Sequence, residues 1–312
     1  MENHSLPLVS VGIPTFNRAS SLVTAIESVL KQTYSNIELV ISDNASTDNT
    51  QSICENFCKN DVRITYIRQE SNLGATNNFI EVLKHSTGEY FMWLGDDDWI
   101  DNNYVAECTE ILIDHLDHSL ICGKCKYYID KEFFRQGDII NIDEDNQCSR
   151  LLSYYKQVSD NGTFYGIMRT NQISNIPIKN TMGGDWFVIA AISFLGKVKT
   201  IPTTVIYRQA RQNDSLIELA TRLNLSEFQK QQPFLSIAFS ACKDIITNKN
   251  YSPLNFMDKI YLSMNIFKIF KEKYPLFLFR DYIFLFARKY LPARIYLYTQ
   301  DVYRRLIKQT KI

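Results

Sequence analysis

Between residues 8 and 94 short β-type runs and amphipathic helical runs alternate without interruption. Residues 8–13 (LVSVGI) read as a strand that Pro14 stops, and residues 19–31 place Leu22, Ile26, Val29 and Leu30 at helical spacing. The rhythm repeats as strand 37–42, helix 48–59, strand 63–67, helix 75–85 and strand 90–94. Strands separated by helices pair side by side rather than as hairpins, so the pattern predicts an α/β fold with a Rossmann-like, mostly parallel sheet flanked by helices. Ligands of such sheets bind beyond the carboxyl ends of the strands. Polar clusters lie at those ends here: PTFNR (14–18), DNASTD (43–48), ESNLG (70–74) and GDDDW (95–99).

The rest of the chain is less regular. Strands are expected at 119–129, 163–169, 198–201 and 204–208, with an acidic stretch at 138–145 and a Gly-Gly-Asp turn before a helix at 186–195. We read residues 1–215 as one domain, its first half about 1–112 and its second about 113–215, followed by a helical region at 216–312. The chain contains no GxGxxG and no GxxxxGK[ST], so the usual dinucleotide fingerprint and the P-loop are disfavoured. Seven dispersed cysteines suit reduced thiols better than a disulfide framework, and Cys122-Gly-Lys-Cys125 is a lone CxxC without a second pair. No basic segment followed by a long apolar run opens the sequence, which points to a cytoplasmic protein.

Asp96, Asp97 and Asp98 follow one strand directly. Two unit charges roughly 5 Å apart repel by about 3 kcal/mol at an effective dielectric near 20, so clustered carboxylates call for a counterion. Oxygen ligands suit Mg²⁺ or Mn²⁺. A plainer reading has Asp98 or Asp101 capping a helix at 102–114.

In order and spacing, VSVGIPTFNR, LVISDNASTDNT, ESNLG and GEYFMWLGDDDW resemble the inverting family 2 glycosyltransferases of the GT-A fold. The variants SDNAS and GDDDW are most similar to bacterial O-antigen and capsule transferases, including the abequosyltransferase-like branch. The resemblance is strong over about residues 8–112, weaker over 160–215, and absent beyond. It implies a nucleoside diphosphate sugar as donor, a glycan or lipid-linked glycan as acceptor, and Mn²⁺ or Mg²⁺ held by the acidic motif. It makes Asp97 the metal ligand, puts Asp96 near the ribose or the metal, and leaves Asp98 as support for the metal or as helix cap. It places Phe16 against the nucleobase, with Pro14, Thr15, Asn17 and Arg18 beside it, and assigns Asp43, Asn44 and Asn72 to the same nucleotide site.

Three departures from the family pattern bear on function. Gly95 replaces an acid, Asn78-Phe79 stands where an arginine is common, and Asn44 is an amide where the family has a second acid. The diphosphate is then expected to take its cation from Arg18, Arg208 or Arg211. An amide both donates and accepts, so Asn44 removes a bar against cytosine and predicts that CDP binds at least as well as UDP.

Inverting transfer needs a general base, and none of the four histidines (4, 85, 115, 118) lies in the later part of the chain. The resemblance places the base at Asp185 in TMGGDWFVIAAI; the plainer reading is an N-cap. Residues 251–312 hold twelve Lys and Arg against four Asp and Glu, and residues 265–298 interleave Lys and Arg with Phe, Tyr, Ile and Leu. No uncharged run there spans a bilayer. The stretch suits helices lying on an anionic membrane surface, or a bundle packed on the catalytic domain. The zero net charge and the acidic body argue against nucleic acid. A competing function is a non-catalytic sugar-nucleotide-binding or scaffold subunit of a glycan-assembly complex. A nucleotidyltransferase is disfavoured because PTFNRASS supplies one Arg and no Gly for a triphosphate loop.

Overall fold

A computed structural model describes residues 6–210 and 216–275. Its strands are β1 (Val9–Thr15), β2 (Ile37–Asp43), β3 (Ile64–Arg68), β4 (Tyr90–Trp93), β5 (Trp99–Ile100), β6 (His118–Ile129), β7 (Glu132–Gln136), β8 (Asn141–Ile142), β9 (Ile167–Arg169) and β10 (Lys197–Gln209). The helices are α1 (Ala19–Leu30), α2 (Thr50–Asn60), α3 (Ala75–Lys84), α4 (Tyr104–Asp114), α5 (Gln147–Gln157), α6 (Thr170–Ile173), α7 (Gly184–Leu195), α8 (Leu216–Arg222), α9 (Glu227–Gln231), α10 (Pro233–Thr247) and α11 (Phe256–Lys273).

The strands form one sheet in the order β3-β2-β1-β4-β9-β6-β10-β5, with β7 beside β6 and β8 beside β10. β1 pairs in parallel with both β2 and β4, β2 with β3, and β6 with β10. β9 runs antiparallel between β4 and β6 and joins the two halves of the sheet. The α/β reading with a mostly parallel sheet flanked by helices holds. Every residue of β1 is buried, and α1 sets Leu22, Ala25, Ile26 and Val29 into the core at the spacing its sequence predicts.

Three local expectations are corrected. Pro14 does not stop β1. The carbonyl of Gly12 accepts from Leu94 N–H, so Pro14, two residues on, turns its missing donor toward the side where β4 has already ended. The strands expected at 198–201 and 204–208 are one strand, β10, with a register shift between Ile201 and Val205. Residues 163–165 belong to a 3₁₀ turn (Gly162–Tyr165) rather than to a strand.

Cys122 and Cys125 are buried in β6, and burial pushes their thiols up to about 11 and about 12. Neither is a reactive thiolate at neutral pH. Among the described residues from 216 on, all regular structure is helical, and Leu235, Ile237, Ala238, Leu262, Ile266 and Phe270 share one core with the sheet. Lys179 pairs with Asp244 at 2.5 Å, and Phe194 packs edge-on against Tyr251. The described helices are therefore packed onto the second half of the domain. The basic aromatic stretch beyond residue 275 lies outside the described residues.

Candidate functional site

The loops after β1 and β2 are laced together. Asn17, in left-handed backbone (φ 53°), donates its N–H to Ser46 Oγ at 2.9 Å and accepts Thr47 N–H at 2.7 Å. Asp48 accepts Ala19 N–H at 3.1 Å and so caps α1 from the neighbouring loop. This holds Phe16 out from the strand end with its side chain exposed, and sets Arg18 beside the acids that follow β4.

Those acids diverge. Asp96 Oδ2 accepts the Thr15 hydroxyl at 2.8 Å, and Asp97 Oδ2 lies 3.6 Å from Arg18 Nη2. Burial first, and the neighbouring carboxylate second, raise Asp96 to about 7 and Asp97 to about 6. The surroundings thus leave the ionised forms of both groups partly uncompensated, and oxygen donors of that kind suit a hard divalent cation. Arg18 and Asp97 open on a cleft of about 550 Å³, lined also by Trp99, Tyr128, Lys131 and Gln209.

Asp98, expected with the metal, is corrected. It is buried, its Oδ2 accepts Arg208 Nε at 2.9 Å, and its Oδ1 accepts Gln209 N–H at 3.0 Å. It does not cap α4 either, since that helix has no side-chain cap. Asp101 instead accepts Val205 N–H and the Tyr207 hydroxyl. Arg208, expected to be free for a diphosphate, is spent on Asp98 and on Asn161 Oδ1, the latter at 2.6 Å. Arg211 lies outside the described residues.

The expected base-reading residues are also committed within the chain. Asp43 is fully buried, accepting Ser46 N–H and the Tyr66 hydroxyl, each at 2.8 Å. Asn44 donates to Asn72 Oδ1 at 2.9 Å and accepts Leu73 N–H at 2.8 Å, while Asn72 Oδ1 also accepts Gly74 N–H. These residues build the loops that carry the site, and the Asn44 amide already bonds Asn72 and Leu73. Of the nucleotide group, Phe16 and Arg18 keep side chains turned to open space, while Pro14, Thr15 and Asn17 shape the strand end.

The remaining departures have local causes. A Cβ on Gly95 would come within 2.5 Å of Asp98 Oδ2, so the Asp98–Arg208 pair leaves no room for a side chain there. Asn78 is buried and donates to the carbonyls of Thr15 (3.1 Å) and Ser42 (3.0 Å), tying β1 to β2. The Phe79 carbonyl accepts the Trp93 indole N–H.

Asp185 sits in the first turn of α7, whose N-cap is Gly183 in left-handed backbone (φ 73°). A Cβ on Gly184 would lie 2.3 Å from the Lys179 carbonyl, so both glycines are needed to bring the chain round. Asp185 is not the cap; its Oδ1 accepts the N–H of the following Trp186 at 3.0 Å. Burial raises its carboxyl, while the hydrogen bond from Trp186 and the charge of Arg208 pull the other way.

Asn161, Tyr165 and Lys131 were not anticipated. The first two lie in SDNGTFYG, which has no periodicity to flag them, and Lys131 occupies a β6–β7 turn through positive φ at Asp130 and itself. Among the described residues the one group of three metal-ligand side chains within 4.8 Å is His115, Asp117 and His118, ahead of β6 at the opposite end of the sheet. There Asp117 is already paired with Lys197 at 2.9 Å and with His118, which hold its carboxyl down at about 2.

Residues 10–175 match the family described as Glycosyl transferase family 2. Among curated proteins, the chain is 28% identical over 175 residues to the GalNAc(5)-diNAcBac-PP-undecaprenol beta-1,3-glucosyltransferase of Campylobacter jejuni, covering 54% of each chain. It is 32% identical over 162 residues to the putative colanic acid biosynthesis glycosyl transferase WcaA of Escherichia coli, covering 51% of this chain and 56% of that one. Against Glycosyltransferase GlyA of Streptococcus pneumoniae it is 28% identical over 177 residues, covering 56% of this chain and 24% of that one. The chain thus spans between a quarter and just over half the length of these relatives. The fold is similar to that of S. aureus TarS 1–349 in complex with UDP-GlcNAc (TM-score 0.63, 18% identity, 85% of this chain and 73% of that one). It is also similar to the mannosyltransferase PcManGT of Pyrobaculum calidifontis in complex with GDP-Man and Mn2+ (TM-score 0.59, 15% identity, 96% and 81%). With the sheet, the strand-end acids and a family match over more than half its length, the chain belongs to glycosyl transferase family 2 and has the GT-A type of fold.

Proposed function

We propose that the protein is an inverting glycosyltransferase of bacterial surface-polysaccharide assembly, moving a sugar from a nucleoside diphosphate sugar to a hydroxyl of a lipid-linked glycan. One observation carries the reading: the raised acids Asp96 and Asp97 stand at a strand end beside Asp98, whose partner Arg208 binds Asn161 and acts by its charge on the raised acid Asp185 of α7. Asp96 and Asp97 would hold Mn²⁺ or Mg²⁺, which when bound supplies positive charge to the departing diphosphate. Arg18 and Lys131 supply cationic donors from the cleft wall in place of Arg208. Phe16 offers its exposed ring as a platform for the nucleobase. Asp185 takes the proton of the acceptor hydroxyl as that oxygen attacks the anomeric carbon.

A lipid-linked acceptor places the protein at the inner face of the cell membrane, docked through its basic C-terminal region. No helix among the described residues is long and apolar enough to cross a membrane. Asp185→Asn keeps the size of the side chain and removes the base. Donor binding measured by calorimetry should survive while turnover falls about 100-fold or more. Turnover within a fewfold of wild type would end the assignment of Asp185.

A further inference from the structure

The turn after β4 is clamped from two sides. The Gly95 carbonyl accepts Asp98 N–H at 3.1 Å and closes the turn on itself. Toward β1, Asp96 Oδ2 accepts the Thr15 hydroxyl at 2.8 Å. Toward β10, Asp98 Oδ2 accepts Arg208 Nε at 2.9 Å and Asp98 Oδ1 accepts Gln209 N–H at 3.0 Å. Asp97 stands between these two fixed residues, so the direction of its carboxylate depends on both clamps.

Arg208 is itself held. Its guanidinium carbon lies 3.9 Å from the centroid of the Tyr165 ring, and its Nη1 donates to Asn161 Oδ1 at 2.6 Å. A carboxylate at one edge, an amide oxygen at another and an aromatic face beneath leave a planar guanidinium one orientation. Asn161 and Tyr165 flank and end the 3₁₀ turn ahead of β9, so Arg208 ties the acid turn to the second half of the domain. The side chains of the pair are buried, Arg208 at 12% and Asp98 at 1% exposure. A buried ion pair is weak evidence for stability, since apolar side chains of the same volume often do as well, and one beside a cleft calls for another use. We infer that Arg208 is a positioning residue for the acid turn: by fixing Asp98 it aims the Asp97 carboxylate into the cleft.

The inference rests on the reading of Asp96 and Asp97 as the metal-holding pair. It gives Arg208 a task distinct from gripping phosphate. Charge and geometry make opposite predictions for its removal. Taking a positive charge from beside carboxylates should, by Coulomb's law, tighten a divalent cation. Losing the clamp on Asp98 should loosen it, because the partners that orient metal ligands typically carry about 10–100-fold in affinity.

Mn²⁺ uptake by the full-length protein, read by electron paramagnetic resonance with UDP, GDP or CDP present, separates the two. Arg208→Gln should weaken Mn²⁺ about tenfold or more despite the lost positive charge. Arg208→Lys keeps the charge beside Asp98 but reproduces neither the planar fork nor the stack on Tyr165, and should weaken Mn²⁺ in the same direction. The Lys variant also carries the test if Arg208→Gln does not fold. Melting temperatures measured alongside identify a purely structural role, which would lower stability and leave the Mn²⁺ affinity of the folded protein unchanged. Unchanged or tighter Mn²⁺ binding in the folded variants overturns the inference if Asp97→Ala has lost Mn²⁺. Wild-type protein that takes up no Mn²⁺, or Asp97→Ala protein that binds it as wild type does, overturns the metal reading and this inference with it.

Discussion

Asp96 is a carboxylate that the folded protein, taken alone, keeps partly protonated. Its pKa is raised from 3.8 to about 7, by burial first and by Asp97 second. Between those values the folded state holds a proton that the unfolded chain has released, so this group lowers stability as pH rises through that interval. A cation bound by the ionised pair should reverse the loss. We expect Mn²⁺ to raise the melting temperature more at pH 8 than at pH 5, and Asp96→Asn to remove most of that difference. Equal shifts at both pH values would detach the acid pair from the metal. Gly95 offers a second test at the same turn. A side chain there meets Asp98 Oδ2 at 2.5 Å, so Gly95→Asp, although it restores an acid common in the family, should break the Asp98–Arg208 pair. The expected cost is about 1–3 kcal/mol in chemical denaturation, the range for overpacking. A neutral or stabilising outcome would mean that the turn has a second conformation able to take the side chain.

Strand ends in this protein are made by amides. Asn78 on α3 donates to the carbonyl of Thr15, last in β1, and to that of Ser42, next to last in β2, and Asn44 after β2 holds the loop that leads into α3. Asn78→Leu removes these donors and the acceptor of the Ser42 hydroxyl, leaving the Thr15 carbonyl with Asn44 N–H alone. It should destabilise by about 1–3 kcal/mol, read from the urea midpoint at constant slope. A loss below about 0.5 kcal/mol, the level of an ordinary surface substitution, would show that the arginine common at this place is replaced without structural consequence. The same elements mark what the sequence discloses. The β-α rhythm through β4 is legible because each strand and helix carries its own periodicity, and Asp96, Asp97, Arg18 and Asp185 are legible because they stand at strand or helix ends. Pro14 is misread because its tolerance depends on where a neighbouring strand stops. Asp98 and Arg208 are misread because each is neutralised by a partner 110 residues away, a pairing that no local pattern announces. Asn161 is invisible for the same reason: its amide acquires a direction only once β10 lies beside its loop.

The charge balance of the molecule is uneven: it is zero over 312 residues, yet the last 62 carry eight more positive than negative charges. The described part of that region packs on the second half of the domain, where Trp186, next to Asp185, stacks at 6.5 Å on Phe270 of α11. Along α11, Met257, Tyr261 and Met264 recur at helical spacing and are 71%, 64% and 68% exposed, with Lys268 one turn further on. Apolar side chains in such a row face a partner more often than water, and a cation at the end of the row suits anionic headgroups. If the partner is a bilayer, the acceptor side of the cleft is held near the surface where a lipid-linked glycan resides. The full-length protein should then sediment with vesicles containing anionic lipid at low salt and release at high salt. Met257→Asp combined with Met264→Asp should weaken that binding about tenfold or more without lowering activity toward a soluble acceptor analogue, because both side chains are exposed while Phe270, which meets Trp186, lies on the buried face of α11. Wild-type protein that stays in the supernatant at low salt would refute membrane docking outright. Unchanged sedimentation of the double variant would move the contact from α11 to the basic residues beyond 275.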